Sequence, residues 1–188
     1  MGDQGTERQP PSGPSEYPRP RRPATVREAK ALAHPLRVRI LLLCSRQELT
    51  NKQLADRLGS TPGTVLHHVR QLVDAGLLQP APVRTGTSGA LEKPYRSSRD
   101  VWWLDDPLAD AGPDGRFAPI KAFQDELREA GPASVQTFAR FMLHLSPEDV
   151  QELDRRILAV LDEYIETDDQ RLDQPAHGGI VVLHRLAE

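Results

Sequence analysis

The chain has 188 residues, a formal net charge of −3 and a single cysteine. That length suits one domain of ordinary size, or a small domain with an appendage, and it can bury a core without cross-links. One cysteine, Cys44, excludes an internal disulfide and a thiolate cluster for zinc or iron–sulfur, and no apolar run approaches the roughly 20 residues of a membrane span.

The N-terminus lacks the apolar stretch of a signal peptide, so the expected location is cytoplasmic. A charge of −3 taken alone argues against nucleic-acid binding, but the charge is segregated. Residues 1–25 carry +1, residues 26–100 carry +6 and residues 101–188 carry −10. A basic middle followed by an acidic end is one signature of a nucleic-acid-binding segment. Its bland counterpart is a chance division of solvated faces. Twenty arginines against four lysines fit a GC-rich bacterial genome.

Residues 1–25 hold six of the seventeen prolines and almost no aliphatic side chains. They read as a disordered Pro/Arg-rich tail in which Arg19, Arg21 and Arg22 either touch phosphate or, the simpler reading, are solvated. Order is expected from Thr25. Thr25-Val26-Arg27-Glu28 has the form of a capping box, placing a helix start at Val26. His34-Pro35 interrupts that helix and opens a second one bearing Leu36, Ile40, Leu41 and Leu43. Thr50-Asn51-Lys52-Gln53 is another capping box; it opens a short helix with Leu54, Ala55 and Leu58 inward, closed by Gly59. Thr61 caps a third helix, with Pro62 first and Val65, Leu66, Val69, Leu72 and Val73 as its apolar stripe, ended by Gly76.

Two short capped helices joined at Gly59-Ser60-Thr61 predict a helix-turn-helix. The second helix, 62–75, presents Gly63, Thr64, His67, Arg70 and Gln71 away from its stripe, with His68 at the border. These side chains are small or hydrogen-bonding, and an anionic partner at this helix N-terminus meets a favourable dipole. The stretch 83–96 then predicts a hairpin with a flexible tip around Thr85-Gly86-Thr87-Ser88-Gly89, flanked by Arg84 and Lys93. A hairpin directly after a helix-turn-helix is a wing.

Four consecutive segments carry a resemblance: His34-Pro35-Leu36-Arg37-Val38-Arg39-Ile40-Leu41, Leu54-Ala55-Asp56-Arg57-Leu58, Thr64 through Leu78, and Glu92-Lys93-Pro94-Tyr95-Arg96. Together they resemble the arsenic-repressor (ArsR) type of winged-helix regulators over roughly residues 26–104. The resemblance implies a homodimeric, sequence-specific DNA-binding transcription regulator, usually a repressor, acting on a near-palindromic operator. It also exposes departures. The helix corresponding to the soft-metal site, Asn51 to Leu58, has no cysteine, and Cys44 reads as a small core residue. Other members bind metals through histidine and carboxylates on a C-terminal helix; here that helix has no histidine, and His144, His177 and His184 are scattered. No metal and no cofactor are expected.

Trp102-Trp103-Leu104 are expected to close the winged-helix core, and residues 105–116 read as a linker. Residues 117–188 read as a helical dimerisation and possible effector domain. Pro119 opens a helix with Ile120, Phe123 and Leu127. A further helix is expected with Val135, Phe138, Phe141, Met142 and Leu145. Ser146-Pro147 opens a long one, whose seam of Val150, Leu153, Ile157, Val160, Leu161 and Tyr164 is spaced for packing within a subunit or between two. Ile180 to Leu186 reads as a terminal strand. Phe123, Phe138, Phe141, Met142 and Tyr164 could line an apolar effector pocket or simply form core; dimerisation with or without a ligand stays open.

The expected fold class is mainly α with a small β-wing: a winged helix-turn-helix domain plus a C-terminal helical region ending in a strand. Thr64, His67 and Gln71 are the candidates for base edges, and Lys52, His68, Arg70, Arg84 and Lys93 for phosphates. Thr61, Gly63, Thr87 and Ser88 complete the candidate DNA-binding set, and Val150, Leu153, Ile157, Leu161 and Tyr164 form the candidate dimer seam. No nucleophile elbow, phosphate loop or metalloprotease motif is present, so catalysis is not expected. The rival reading is a winged helix used as a protein-interaction module whose acidic half binds another regulator.

Overall fold

The computed structural model describes residues 20–86 and 89–187. The tail 1–19, with Arg19, and the wing-tip residues Thr87 and Ser88 lie outside the described residues. The chain begins with a short strand β1 (Arg22–Pro23), then α1 (Val26–Leu32), α2 (Pro35–Arg46), β2 (Leu49–Thr50), α3 (Asn51–Arg57) and α4 (Pro62–Asp74). The sheet elements follow: β3 (Leu78–Pro80), β4 (Arg84–Thr85), β5 (Leu91–Glu92), β6 (Pro94–Ser97) and β7 (Leu104–Asp105). Two helices close the order, α5 (Ala118–Ala130) and α6 (Pro147–Glu166).

The local signals in the first hundred residues are all used. Thr25 and Thr50 form complete capping boxes with Glu28 and Gln53, and Thr61 accepts from the Thr64 amide. His34 caps α2 through Nδ1, which accepts from Leu36 N–H at 3.2 Å, and Pro35 occupies the first turn. Gly59 and Gly76 adopt φ of +57° and +73°, the left-handed conformation that stops a helix at little cost only in glycine.

The core sits where α1–α4 meet the sheet. Ile40, Leu54, Val65, Val69, Leu72 and Leu78 are at most 1% exposed. Cys44 is buried beside them, and burial pushes its thiol up to about 12, so it behaves as a small apolar side chain. β6 is the centre of a three-stranded antiparallel sheet with β2 on one side and β3 on the other. The separate pair β4–β5 forms the outer part of the wing, with Arg84 opposite Glu92. α5 packs against α2, where Arg39 and Glu129 form an ion pair at 2.5 Å. This is a mainly helical winged helix-turn-helix fold with a small β-wing.

Several expectations are corrected. Ordered chain starts before Thr25: Arg22–Pro23 pairs in parallel with Leu104–Asp105, and Arg22 bonds both carboxylate oxygens of Glu28. Arg21 stacks over Trp102 and Trp103, at 5.1 and 5.6 Å from the ring centroids. It donates to Trp102 O and, at 2.7 Å, to Asp162 Oδ1, which also accepts from Trp102 Nε1 at 2.7 Å. Arg21 and Arg22 are therefore held by aromatic rings and carboxylates rather than solvated. Residues 105–116, expected as a linker, run from the last residue of β7 through a series of turns, and Ala111 is buried.

The helix expected over 135–145 does not form. Its residues have no helical or strand structure, and Phe138, Phe141, Met142 and Leu143 are 55–85% exposed. Most helical stability comes from burying an apolar face, and nothing among the described residues covers this one. The expected terminal strand over 180–186 is also missing, because no described strand pairs with it. Ile180, Val181 and Val182 stand exposed instead.

Candidate nucleic-acid interface

α3, the turn and α4 form the helix-turn-helix. Two side-chain bonds fix the entry to α4. Asn51 Nδ2 donates to Pro62 O at 2.9 Å, and Thr61 Oγ1 lies 2.9 Å from Thr64 Oγ1 while accepting from the Thr64 amide. The buried face of α4 consists of Val65, Val69 and Leu72, each at most 1% exposed. On the opposite face Gly63, Thr64, His67 and Arg70 are exposed, as are Thr61 and Lys52 of the preceding turn and helix. A Cβ built on Gly63 meets nothing within 4 Å, so the first turn of α4 presents bare backbone outward. The sequence-derived set of Lys52, Thr61, Gly63, Thr64, His67 and Arg70 thus lies exposed along α3, the turn and α4.

Two members of the set are engaged elsewhere. His68 is 8% exposed; its ring stacks on His34 at 4.5 Å and meets His67 edge-on at 5.4 Å. Its Nδ1 is buried without a hydrogen-bond partner among the described residues. Burial, with the neighbouring His34, Arg37 and His67, pushes its pKa down to about 4, so the ring is neutral near neutral pH. His68 belongs to the α2–α4 contact rather than the outer face. Gln71 is half-buried between His67 and Arg37.

On the wing, Gly86 N–H donates to Ala90 O at 2.8 Å and Gly89 takes φ +80° at the tip. Arg84 pairs with Glu92 at 3.1 Å and reaches Glu48 O at 3.4 Å. That pair is partly exposed, and such pairs are worth at most about 1 kcal/mol, so a phosphate could compete for Arg84. Lys93 and Arg96 are exposed beside it.

The residue that sequence reasoning missed is Arg37. It lies in the half-buried seam between α1, α2 and α4 and bonds to both neighbours. It is present in the quoted His34-Pro35-Leu36-Arg37 segment, but its partner Gln71 is 34 positions later, beyond any local pattern.

In the acidic half, Leu153, Ile157 and Leu161 of the candidate dimer seam are half-buried, while Val150 and Tyr164 are 38% and 65% exposed. Among the described residues no group of three or more His, Cys, Asp or Glu side chains gathers as a metal site, and no helix is long and apolar enough to cross a membrane.

A helix-turn-helix domain family matches residues 32–80, spanning α2, α3, α4 and the first wing strand. A solved structure of a cysteine-to-serine mutant of ZitR from Lactococcus lactis is similar at 14% identity over 84% of this chain and 84% of that chain, with a TM-score of 0.28. None of the curated proteins compared with the chain matches it. The domain match and the exposed polar face of α4 support a DNA-binding transcriptional regulator.

Proposed function

We propose that the chain is a homodimeric, sequence-specific repressor of the arsenic-repressor type that lacks metal sensing. The observation that carries this reading is the outward face of α4. Its bare first turn and exposed Thr64, His67 and Arg70 stand on a helix whose other face is fully buried. Two recognition helices, 62–75, would enter successive major grooves about 34–36 Å apart on a near-palindromic operator. Thr64 and His67 face base edges; Lys52, Arg70, Arg84 and Lys93 face phosphates, with the wing 83–96 near the minor groove.

The exposed apolar side chains of 135–145 and α6 supply the surface for the second copy. Residues 26–104 are the DNA-binding domain, 105–116 the connection and 117–188 the dimerisation domain. An effector acting on that domain would favour a dimer geometry that no longer matches the half-sites. A protein working on the nucleoid acts in the cytoplasm.

The test is selection of sequences from a pool of randomised duplexes by the full chain, followed by salt titration. Arg70→Ala is expected to weaken binding on all sequences and to lower the salt slope by about one contact. His67→Ala is expected to relax sequence preference instead. Equal affinity of both variants and the parent on selected and random duplexes would sink the assignment and favour the protein-interaction reading.

A further inference from the structure

We infer that Arg37 is a positioning residue that sets which bases the recognition helix accepts, acting through Gln71 on His67; this rests on the DNA-binding reading above. Arg37 is anchored first to α1. Its Nε donates to Ala31 O and its Nη2 donates to Lys30 O at 2.7 Å. Those carbonyls belong to the last turn of α1, where a helix leaves acceptors unpaired and favours a cation. The guanidinium is thereby fixed, and its Nη1 donates to Gln71 Oε1.

A guanidinium only donates, so the end of the Gln71 amide facing it is the oxygen. The amide nitrogen is then the end that meets His67 Nε2, at 2.9 Å. An amide nitrogen also only donates, so His67 Nε2 must be the accepting, unprotonated ring nitrogen. In the neutral ring the proton is therefore on Nδ1, the tautomer that histidine in water populates less. The edge contact with His68 holds the ring from a second side.

The chain Arg37→Gln71→His67 thus runs in one direction, from a fixed donor inside the domain to a donor on the exposed face. A donor at His67 Nδ1 matches the acceptors of the major groove: purine N7, guanine O6 and thymine O4. It disfavours cytosine as the contacted base, whose major-groove edge offers the N4 amino donor, and accepts the same pair when guanine lies on the contacted strand. Gln71, on this account, acts on DNA through His67.

The experiment uses the full chain in two readouts. Nitrogen-15 spectra of the histidine side chains, at mildly alkaline pH and without DNA, report the tautomer. Selection from randomised duplexes reports base preference at the base pair that His67→Ala relaxes. The parent is expected to show the Nδ1–H tautomer at His67 and to exclude cytosine on one strand of that pair, so that G·C is selected in one orientation over the other. Gln71→Met leaves the Arg37 bonds to α1 in place; it is expected to shift His67 toward the Nε2–H tautomer and to weaken the exclusion about fivefold. Arg37→Met is expected to do the same, and Arg37→Lys, which keeps a donor toward Gln71, to restore part of it. An Nε2–H tautomer in the parent, equal selection of both G·C orientations at the His67 pair, or Gln71→Met without effect on either readout would overturn the relay alone. Failure of the parent to select any sequence would overturn the DNA-binding reading and the base assignment together, while the spectra would still separate a formed relay from an unformed one.

Discussion

At the scale of single residues, Gly63 shows how binding and stability pull apart. It lies in the first turn of α4 with open space where a Cβ would stand, and glycine in a helix costs up to about 1 kcal/mol relative to alanine. Gly63→Ala is therefore expected to leave the thermal midpoint unchanged or raise it, while on the proposed placement of α4 against DNA the added methyl group lowers affinity for duplex DNA. Melting curves and a binding titration on the same sample check both halves, and a rise in affinity would contradict the placement. The caps Thr25, Thr50 and Thr61 were legible in the sequence because each partner lies three residues away. His68 was not. Its burial depends on the ring of His34, from another helix. A periodicity argument sees only one helix at a time.

At the scale of elements, the His34–His68 contact joins α2 to α4 and makes their packing sensitive to acid. The His68 pKa is pushed down from 6.5 to about 4. Between these values the unfolded chain binds a proton that the folded chain refuses, so stability falls as pH drops from 6.5 to 4 and then levels off. The full effect is on the order of 2–3 kcal/mol. Glu28 extends the loss. Its bond to Arg22 leads the interactions that hold its carboxyl down from 4.5 to about 2. That stability is complete above 4.5 and disappears as pH falls through 2. Arg22 is half-exposed, which limits the contribution to about 1–2 kcal/mol. His68→Phe keeps an aromatic ring against His34 and is expected to make the upper part of the curve shallower, leaving the share of His34, whose pKa burial and Arg37 also lower. Chemical denaturation from pH 7 to 3 checks it; a parent-like slope between 6.5 and 4 would assign the titration elsewhere. Element types were legible wherever caps and apolar stripe agreed, as in α2, α4 and α6. The stretch 135–145 has an apolar pattern, but pattern alone does not supply a surface to pack on.

At the scale of the whole molecule, Phe138, Phe141, Met142 and Leu143 of the arm 135–145, and Val160 and Tyr164 of α6, are exposed apolar side chains and the candidates for the proposed contact with a second copy. The arm carries Arg140 and His144 and no acidic residue, whereas α6 is densely acidic, so the two are complementary in charge as well as apolar. If the proposed dimer forms through this surface, Phe138→Ser with Phe141→Ser is expected to convert it to a monomer with unchanged helix content, since both residues are 55% or more exposed in the single chain. Sedimentation and circular dichroism check this; a dimer that persists would move the interface away from the arm. The winged domain was legible because its core closes within 80 consecutive residues. In the acidic half only α5 and α6 were legible, because nothing among the described residues covers the apolar side chains of 135–145.

The clasp of Arg21, Trp102 and Asp162 has a kinetic consequence. It joins positions separated by 60 to 141 residues, so it closes only after the winged domain has brought Trp102 into place. α6 is then a late and separately reversible addition, opening at lower free energy than α2–α4. Hydrogen exchange is expected to show two tiers of protection, and Asp162→Asn to speed exchange along α6 while leaving α4 unchanged. Uniform acceleration of both would mean that the two parts unfold as one unit. Arg21 lies near the chain's start, so a force applied to the chain ahead of it passes through that latch to the last long helix.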